Sequence, residues 1–230
     1  MYELQCIKNQ WMGYFLLFEG MLDSVISARD RYLKQVNSED ESDSKLLSPT
    51  SLVMPNRCTM HLVGVCDEER YAETAEYFGN VYGFKMSCLR KPMIREASVE
   101  IIPESKVVTT DAMIHELNIV KCELKDTEFT KNFSFVAKAD CSMTAIAGYF
   151  DCFFEAPDVP GWQTVNFTTG PLGPPTHWKQ TVFYLDEKIP IQCEQKICGS
   201  VKVIRPTKDV RALKVKLTLN GRQTQTFAVE

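Results

Sequence analysis

The chain has 230 residues, of which 44% are hydrophobic and 24% charged, an ordinary composition for a globular protein. Its formal net charge of -4 argues against a sequence-independent grip on nucleic acid, which needs a basic surface, and suits basic protein partners instead. The nine cysteines form no Cys-x-x-Cys pair, so reduced thiols and no metal site are expected. We predict no signal peptide and no membrane association, and therefore a cytoplasmic protein that could also enter the nucleus.

The first predicted element is an apolar run, residues 11–19, that reads W-M-G-Y-F-L-L-F-E and ends in a carboxylate. Gly13 allows a sharp bend within the run. Because a charge after such a run is costly to bury, we expect Glu19 to reach water at a cleft or to bind a cation. A bland alternative is that Glu19 lies at the N-terminus of a helix, predicted over residues 20–34, and is stabilised by the helix dipole.

The later elements change from helix to strand. Residues 37–51 are acidic and serine-rich and predict a loop; a strand at 59–66 and a helix at 68–81, capped by Asp67, come next. Asn220-Gly221 predicts a hairpin turn. Many short strands at this spacing are typical of a sandwich or closed barrel. The remaining predicted strands are 99–102, 113–120, 133–137, 144–154, 164–168, 180–184, 197–204 and 212–219.

Two motifs carry a resemblance to a known family. Residues 11–19 are similar to the double-glutamate hairpin of the protein arginine methyltransferases, and Thr176-His177-Trp178-Lys179-Gln180 resembles that family's threonine–histidine–tryptophan loop. The resemblance runs from about residue 11 to the C-terminus and is closest to the type I enzymes. It implies a mainly β fold: the family's C-terminal barrel at 52–230, with a helical dimerisation arm inserted at about 68–87. Residues 1–36 would be a hairpin and helix remnant of the α/β cofactor domain, followed by the loop at 37–51.

The resemblance implies three catalytic positions. Glu19 matches the second glutamate of the hairpin, and Gln10 stands where the first should be, so this position is degenerate. Gln keeps an acceptor oxygen but has no charge with which to bind a guanidinium. His177 matches a histidine that in the family pairs with an acidic residue on an N-terminal helix, which we do not find here. A structural histidine is the alternative.

Three further residues are implied as substrate-binding. Tyr14 and Trp178 would wall the channel for the arginine side chain, although aromatic residues at such positions also serve packing. Met21 would lie beside the reacting nitrogen and limit the product by its bulk; core packing is the alternative. No residue is predicted to bind a metal or a cofactor.

The implied function is the C-terminal portion of an S-adenosylmethionine-dependent enzyme that forms asymmetric dimethylarginine in Arg/Gly-rich or other basic proteins. The chain has no Gly-x-Gly type loop, so S-adenosylmethionine is not expected to bind it alone, nor is it expected to be active alone. The alternative is an inactive barrel that docks through its arm on a full-length arginine methyltransferase and modulates it. A truncated gene model is a third reading.

Overall fold

The computed structural model describes residues 6–8 (backbone only), 10–33, 52–156, 160–222 and 224–230, so the loop predicted at 37–51 lies outside the described residues. Strand β1 (Cys6–Lys8) pairs in parallel with β2 (Leu52–Met54). No helix in the described ranges is both long and apolar enough to cross a membrane.

Helix α1 (Leu22–Tyr32) is shorter than the helix predicted at 20–34. It begins late because Phe18–Gly20 forms a tighter 3-10 turn, in which Glu19 has a left-handed φ of 72°. It ends at Tyr32, after which Leu33 is extended. The buried face of α1 carries Leu22, Val25 and Ile26 at the predicted helical spacing.

Two sheets make up the rest of the described chain. One has six strands in the order β4-β9-β7-β3-β5, with β8 paired to β7; the other has four, in the order β12-β11-β10-β6. All pairings within them are antiparallel. The strands are β3 (Arg57–Val65), β4 (Ser98–Glu100), β5 (Ala112–Asn118), β6 (Phe129–Val136), β7 (Cys141–Phe154), β8 (Val165–Thr168), β9 (Gln180–Ile191), β10 (Lys196–Ile204), β11 (Leu213–Leu219) and β12 (Gln225–Val229).

The two sheets enclose one apolar core and form the predicted mainly β barrel architecture. On β11, buried residues alternate with more exposed ones, as expected for a strand with one face on the core. Isolated bridges between Thr109 and Ala137 and between Glu96 and Ala228 connect the sheets. The turn at Asn220 and Gly221 joins β11 to β12, which confirms the hairpin read from the sequence.

The hairpin at residues 11–19 packs into this core. Trp11, Phe15, Leu16 and Leu17 are buried together with the inner faces of the sheets. Phe15 meets Phe183 of β9 edge to face, with ring centroids 5.6 Å apart. A Cβ at Gly148 of β7 would lie 2.4 Å from the Phe15 ring, so glycine is what lets this ring approach the sheet.

The prediction of one continuous helix at 68–81 is wrong, because the segment is helical only in short pieces of different types. The segment consists of α2 (Glu68–Tyr71), a π turn (Ala72–Glu76) and a 3-10 turn (Tyr77–Gly79), and the arm ends with α3 (Arg90–Ile94). Of residues 68–79 only Tyr71 and Ala75 are buried, so tertiary packing does little to stabilise one long helix here. The predicted cap is confirmed, because Asp67 accepts a hydrogen bond from the backbone N–H of Arg70.

One side of the arm covers the outer face of the six-stranded sheet, through a small apolar cluster that includes Tyr71, Ala75 and Ile94. The other side exposes large apolar side chains. Tyr82 is 92% exposed and Phe84 is 72% exposed. An exposed apolar group of this kind is typical of an interaction surface.

Candidate functional site

The hairpin that carries Glu19 has an unusual backbone. Phe15, Leu16 and Glu19 all have positive φ, at 47°, 62° and 72°. Each non-glycine residue in this region costs on the order of 1–3 kcal/mol and persists only when its surroundings over-determine it. A Cβ at Gly13 would lie 1.9 Å from the carbonyl oxygen of Phe18, so the turn is closed tightly. The burial of the neighbouring apolar side chains in the barrel core offsets the cost of this backbone strain.

The predicted residues fall into two groups, and the first lies where the hairpin meets the loop before β9. The Gln10 Nε2 atom is 3.1 Å from His177 Nε2, and an amide nitrogen can only donate in such a contact. Trp178 donates from Nε1 to the carbonyl oxygen of Met12 at 2.7 Å. The His177 and Trp178 rings lie 3.8 Å apart. The loop resembling the threonine–histidine–tryptophan motif therefore contacts the hairpin directly.

A cavity of about 610 Å³ opens beside this first group. Trp178 faces it and is held from behind by Phe167, whose ring stacks on it at 5.4 Å. The cavity wall is almost entirely apolar and consists of Gln10, Met12, Met54, Pro55, Phe154, Trp162, Val165 and Trp178. Such a surface suits the flat faces and alkyl parts of a ligand.

The second group surrounds Glu19. Arg211 donates from Nη2 to Glu19 Oε1 at 2.7 Å, and the backbone N–H of Glu19 donates to the carbonyl oxygen of Arg211 at 2.8 Å. One turn further along, Arg205 binds both carboxylate oxygens of Asp23, at 2.7 and 2.8 Å. The sequence predicted that Glu19 reaches water or binds a cation; its side chain is 36% exposed and also binds a guanidinium from the segment between β10 and β11.

Tyr14 and Met21 take part in packing. The Tyr14 ring stacks on Phe18 with centroids 5.9 Å apart. Met21 is partly buried and lies against the main core. Their roles as channel wall and product-limiting residue stay predictions.

The cavity beside Gln10 does not fit S-adenosylmethionine. That molecule carries a sulfonium, a charged amino-acid group and ribose hydroxyls, which require charged or hydrogen-bonding partners. The wall of the cavity beside Gln10 carries no charged side chain. The candidate group for binding an arginine side chain is instead the Glu19 carboxylate, which already accepts a hydrogen bond from a guanidinium.

Sequence reasoning missed Arg205 and Arg211. They lie in a polar stretch far from either motif, and the only signal was two arginines close to Pro206 just before a strand. It also assigned no role to His61, which the structure places between two carboxylates on the outer face of the large sheet. His61 lies 2.9 Å from Asp111 and 3.5 Å from Asp151.

The sequence profile of the "Arginine methyltransferase oligomerization subdomain" matches residues 56–224. The chain belongs to the protein arginine methyltransferase family. Protein arginine N-methyltransferase 1 of Dictyostelium discoideum is 34% identical over 218 residues, covering 95% of this chain and 59% of the relative. Protein arginine N-methyltransferase 1.1 of Arabidopsis thaliana is 34% identical over 221 residues, covering 95% and 52%. The chain thus spans only somewhat more than half the length of these family members.

Solved structures of family members share the fold. A chain of the Trypanosoma brucei PRMT1 enzyme-prozyme heterotetrameric complex with AdoHcy superimposes with a TM-score of 0.87 at 28% identity, covering 99% of this chain and 69% of that one. Arabidopsis thaliana protein arginine methyltransferase 10 gives a TM-score of 0.78, covering 99% and 71%. At 22% identity the latter likeness concerns the fold alone.

Proposed function

We propose that this chain forms the barrel and substrate pocket of a type I protein arginine methyltransferase, acting in the cytoplasm or nucleus on Arg/Gly-rich or other basic proteins. Two successive transfers, each from one molecule of S-adenosylmethionine, place two methyl groups on the same terminal nitrogen of an arginine and give asymmetric dimethylarginine; each transfer releases S-adenosylhomocysteine and a proton. The observation that carries the proposal is Glu19, whose carboxylate stands on a strained hairpin and binds a guanidinium at 2.7 Å.

The chemistry of arginine explains why the pocket needs a carboxylate. A guanidinium stays protonated, and its nitrogen lone pairs are delocalised, so it is a poor nucleophile. A carboxylate that accepts N–H bonds from one side of the fork draws positive charge there and aims the remaining nitrogen. Correct orientation then supplies much of the rate. In this chain Glu19 would perform the pairing.

The second contact with the substrate guanidinium would come from Gln10, which is bonded to His177. Because the Gln10 amide nitrogen donates to His177, its Oε1 atom remains available to accept from a substrate N–H. An amide oxygen supplies no charge, so this half of the grip is weaker than that of a carboxylate. Tyr14 and Trp178 would line the channel, and the methyl donor would bind outside the described residues.

A second function is favoured by the same Gln10 position and by the exposed arm. We infer that the chain can act as a partner that docks through Tyr82 and Phe84 on a full-length arginine methyltransferase and modulates it. A matching profile for an oligomerization subdomain and a likeness to a chain of an enzyme-prozyme heterotetramer support this alternative.

Adding the purified chain to a full-length arginine methyltransferase separates the two functions. Methyl transfer from labelled S-adenosylmethionine to an Arg/Gly-rich peptide is measured, and mass spectrometry identifies the dimethylated product. If the chain supplies a working pocket, Glu19→Gln removes the added activity and Gln10→Glu increases it.

If the chain only modulates its partner, the stimulation survives Glu19→Gln but disappears when Tyr82 and Phe84 are both changed to Asp. Both side chains are largely exposed, so these changes do not disturb the barrel core. A mixture in which neither set of substitutions alters methyl transfer contradicts both proposed functions.

A further inference from the structure

The Glu19 carboxylate is already engaged within this chain. Only one of its oxygens, Oε1, receives the Arg211 guanidinium, and the contact is monodentate. The two side chains are 36% and 65% exposed, so the pair stands at the surface and not in the core. The single negative charge of Glu19 is therefore matched by the single positive charge of Arg211.

The Arg211 side chain is not what attaches its segment to the hairpin. The backbone N–H of Glu19 donates to the Arg211 carbonyl oxygen at 2.8 Å, a bond that any residue at 211 can provide. Arg205 attaches the same segment to helix α1, because its side chain is only 15% exposed and binds Asp23 through two hydrogen bonds. A Cβ at Gly20 would meet Arg205 Nη2 and the Val210 carbonyl at 2.8 Å, which shows how closely the two segments pack.

We propose that Arg211 is a resident guanidinium that competes with the substrate arginine for Glu19 and thereby sets the affinity and salt dependence of substrate binding. This inference rests on the proposed function of the pocket. An incoming arginine needs the carboxylate that Arg211 occupies, and its own charge is repelled by Arg211. For an incoming arginine to pair with both oxygens of Glu19, the Arg211 side chain must therefore move into solvent, while its backbone remains bonded to Glu19.

Binding of a glycine-rich peptide with one arginine, followed by NMR titration of the purified chain, tests this competition. Arg211→Gln removes the charge and keeps most of the side-chain length, and we expect about threefold to fivefold tighter binding, the range of an exposed ion pair. Arg211→Lys retains a cation and should bind like the wild type. Arg222→Gln, an exposed arginine in the β11–β12 turn, is the matched control and should have no effect.

The salt dependence of peptide binding is a second measurement, because a purely structural role of Arg211 would leave it unchanged. Between about 0.05 M and about 0.3 M salt, Arg211→Gln should lose affinity more steeply than the wild type, because its site carries an uncompensated negative charge. Equal or weaker peptide binding by Arg211→Gln, while Glu19→Gln still weakens binding, overturns the competition and leaves the pocket intact. If Glu19→Gln leaves peptide binding unchanged in the wild type and in the Arg211 variants, both the competition and the proposed pocket are wrong.

Discussion

The barrel interior and the hairpin at residues 11–19 share one core but are stabilised in opposite ways. The strands place buried side chains such as Phe183 and Val215 in ordinary extended backbone, and burial alone accounts for their positions. In the hairpin, Phe15 and Leu16 are equally buried yet occupy left-handed backbone. The barrel therefore holds a local structure that the hairpin would not adopt by itself.

This difference assigns separate tasks to the two regions. The paired strands provide the stability, and the strained segment holds the partly exposed Glu19 carboxylate, the group that we propose for substrate binding. Substitutions in the shared core should therefore unfold everything, whereas substitutions confined to the hairpin should alter the site more than the barrel.

The largest effect should come from Phe183→Ala, at the contact between the two regions. Phe183 is fully buried between Phe15 and Phe227, at ring distances of 5.6 and 5.2 Å. We expect the free energy of unfolding to fall by about 3–5 kcal/mol in a urea titration. Phe84→Ala, in the exposed part of the arm, should stay within about 0.5 kcal/mol of the wild type. If both variants lost a similar amount of unfolding free energy, the core shared by hairpin and barrel would not be the main source of stability.

Gly13→Ala isolates the hairpin. The added Cβ would overlap the Phe18 carbonyl, so the turn must open, at a cost of about 1–3 kcal/mol. The fluorescence of buried Trp11 should change, while the far-ultraviolet circular dichroism of the strands should not. Gly79→Ala is the matched control, because a Cβ there meets no atom within 4 Å. Unchanged Trp11 fluorescence in Gly13→Ala would contradict a tightly closed turn.

Glu155→Gln changes only the outside of the barrel. Arg57 donates to both Glu155 carboxylate oxygens, at 3.1 and 2.6 Å, and this hydrogen bonding lowers the pKa of Glu155. We expect a loss of about 0.5–1 kcal/mol at neutral pH. Because the folded-state pKa is depressed, this contribution is present above about pH 4.3 and disappears as pH falls through the folded pKa. Wild type and variant should therefore converge in acid denaturation curves, and a constant difference would argue against the ion pair.

The smallest effect concerns His115 of β5, which also lies outside the hairpin. Burial lowers the pKa of His115, while its Nε2 atom lies 2.8 Å from the Asp126 carbonyl oxygen. The unfolded chain then binds a proton more readily, so stability should decrease as pH falls below about 6.5. His115→Gln should make the free energy of unfolding less dependent on pH in this window. An unchanged slope would mean that His115 does not titrate differently in the folded state.

Most of the strands could be predicted from alternation and turn residues. The strand predicted at 212–219 is observed as Leu213–Leu219, because its apolar residues alternate strictly and Asn220-Gly221 ends it. The strand predicted at 180–184 extends to Ile191, since the polar run around Asp186 hides its continuation. That extension exists because it pairs with the start of β7, a partner that local sequence does not reveal.

The candidate site was predictable only where its residues belong to a motif. Gln10, Glu19 and His177 could be named from the sequence, but the contact between Gln10 and His177 spans 167 positions and depends on how the hairpin enters the barrel. For Arg211 the only local signal was its place in a polar stretch near Pro206, just before a strand. Its position follows from the path of the segment between two strands, which hydrophobic periodicity does not determine.

The bare backbone at Gly148 has a consequence for how the hairpin and the barrel could be separated. The three atoms nearest to a methyl group at Gly148 would all belong to the Phe15 ring, so the clash is with the hairpin and not with the neighbouring strands. One carbon atom added at Gly148 should push the Phe15 ring, and with it the hairpin, away from the sheet, while the strands keep their pairing. The scaffold could in this way be studied without its site, by a change that touches none of the polar residues.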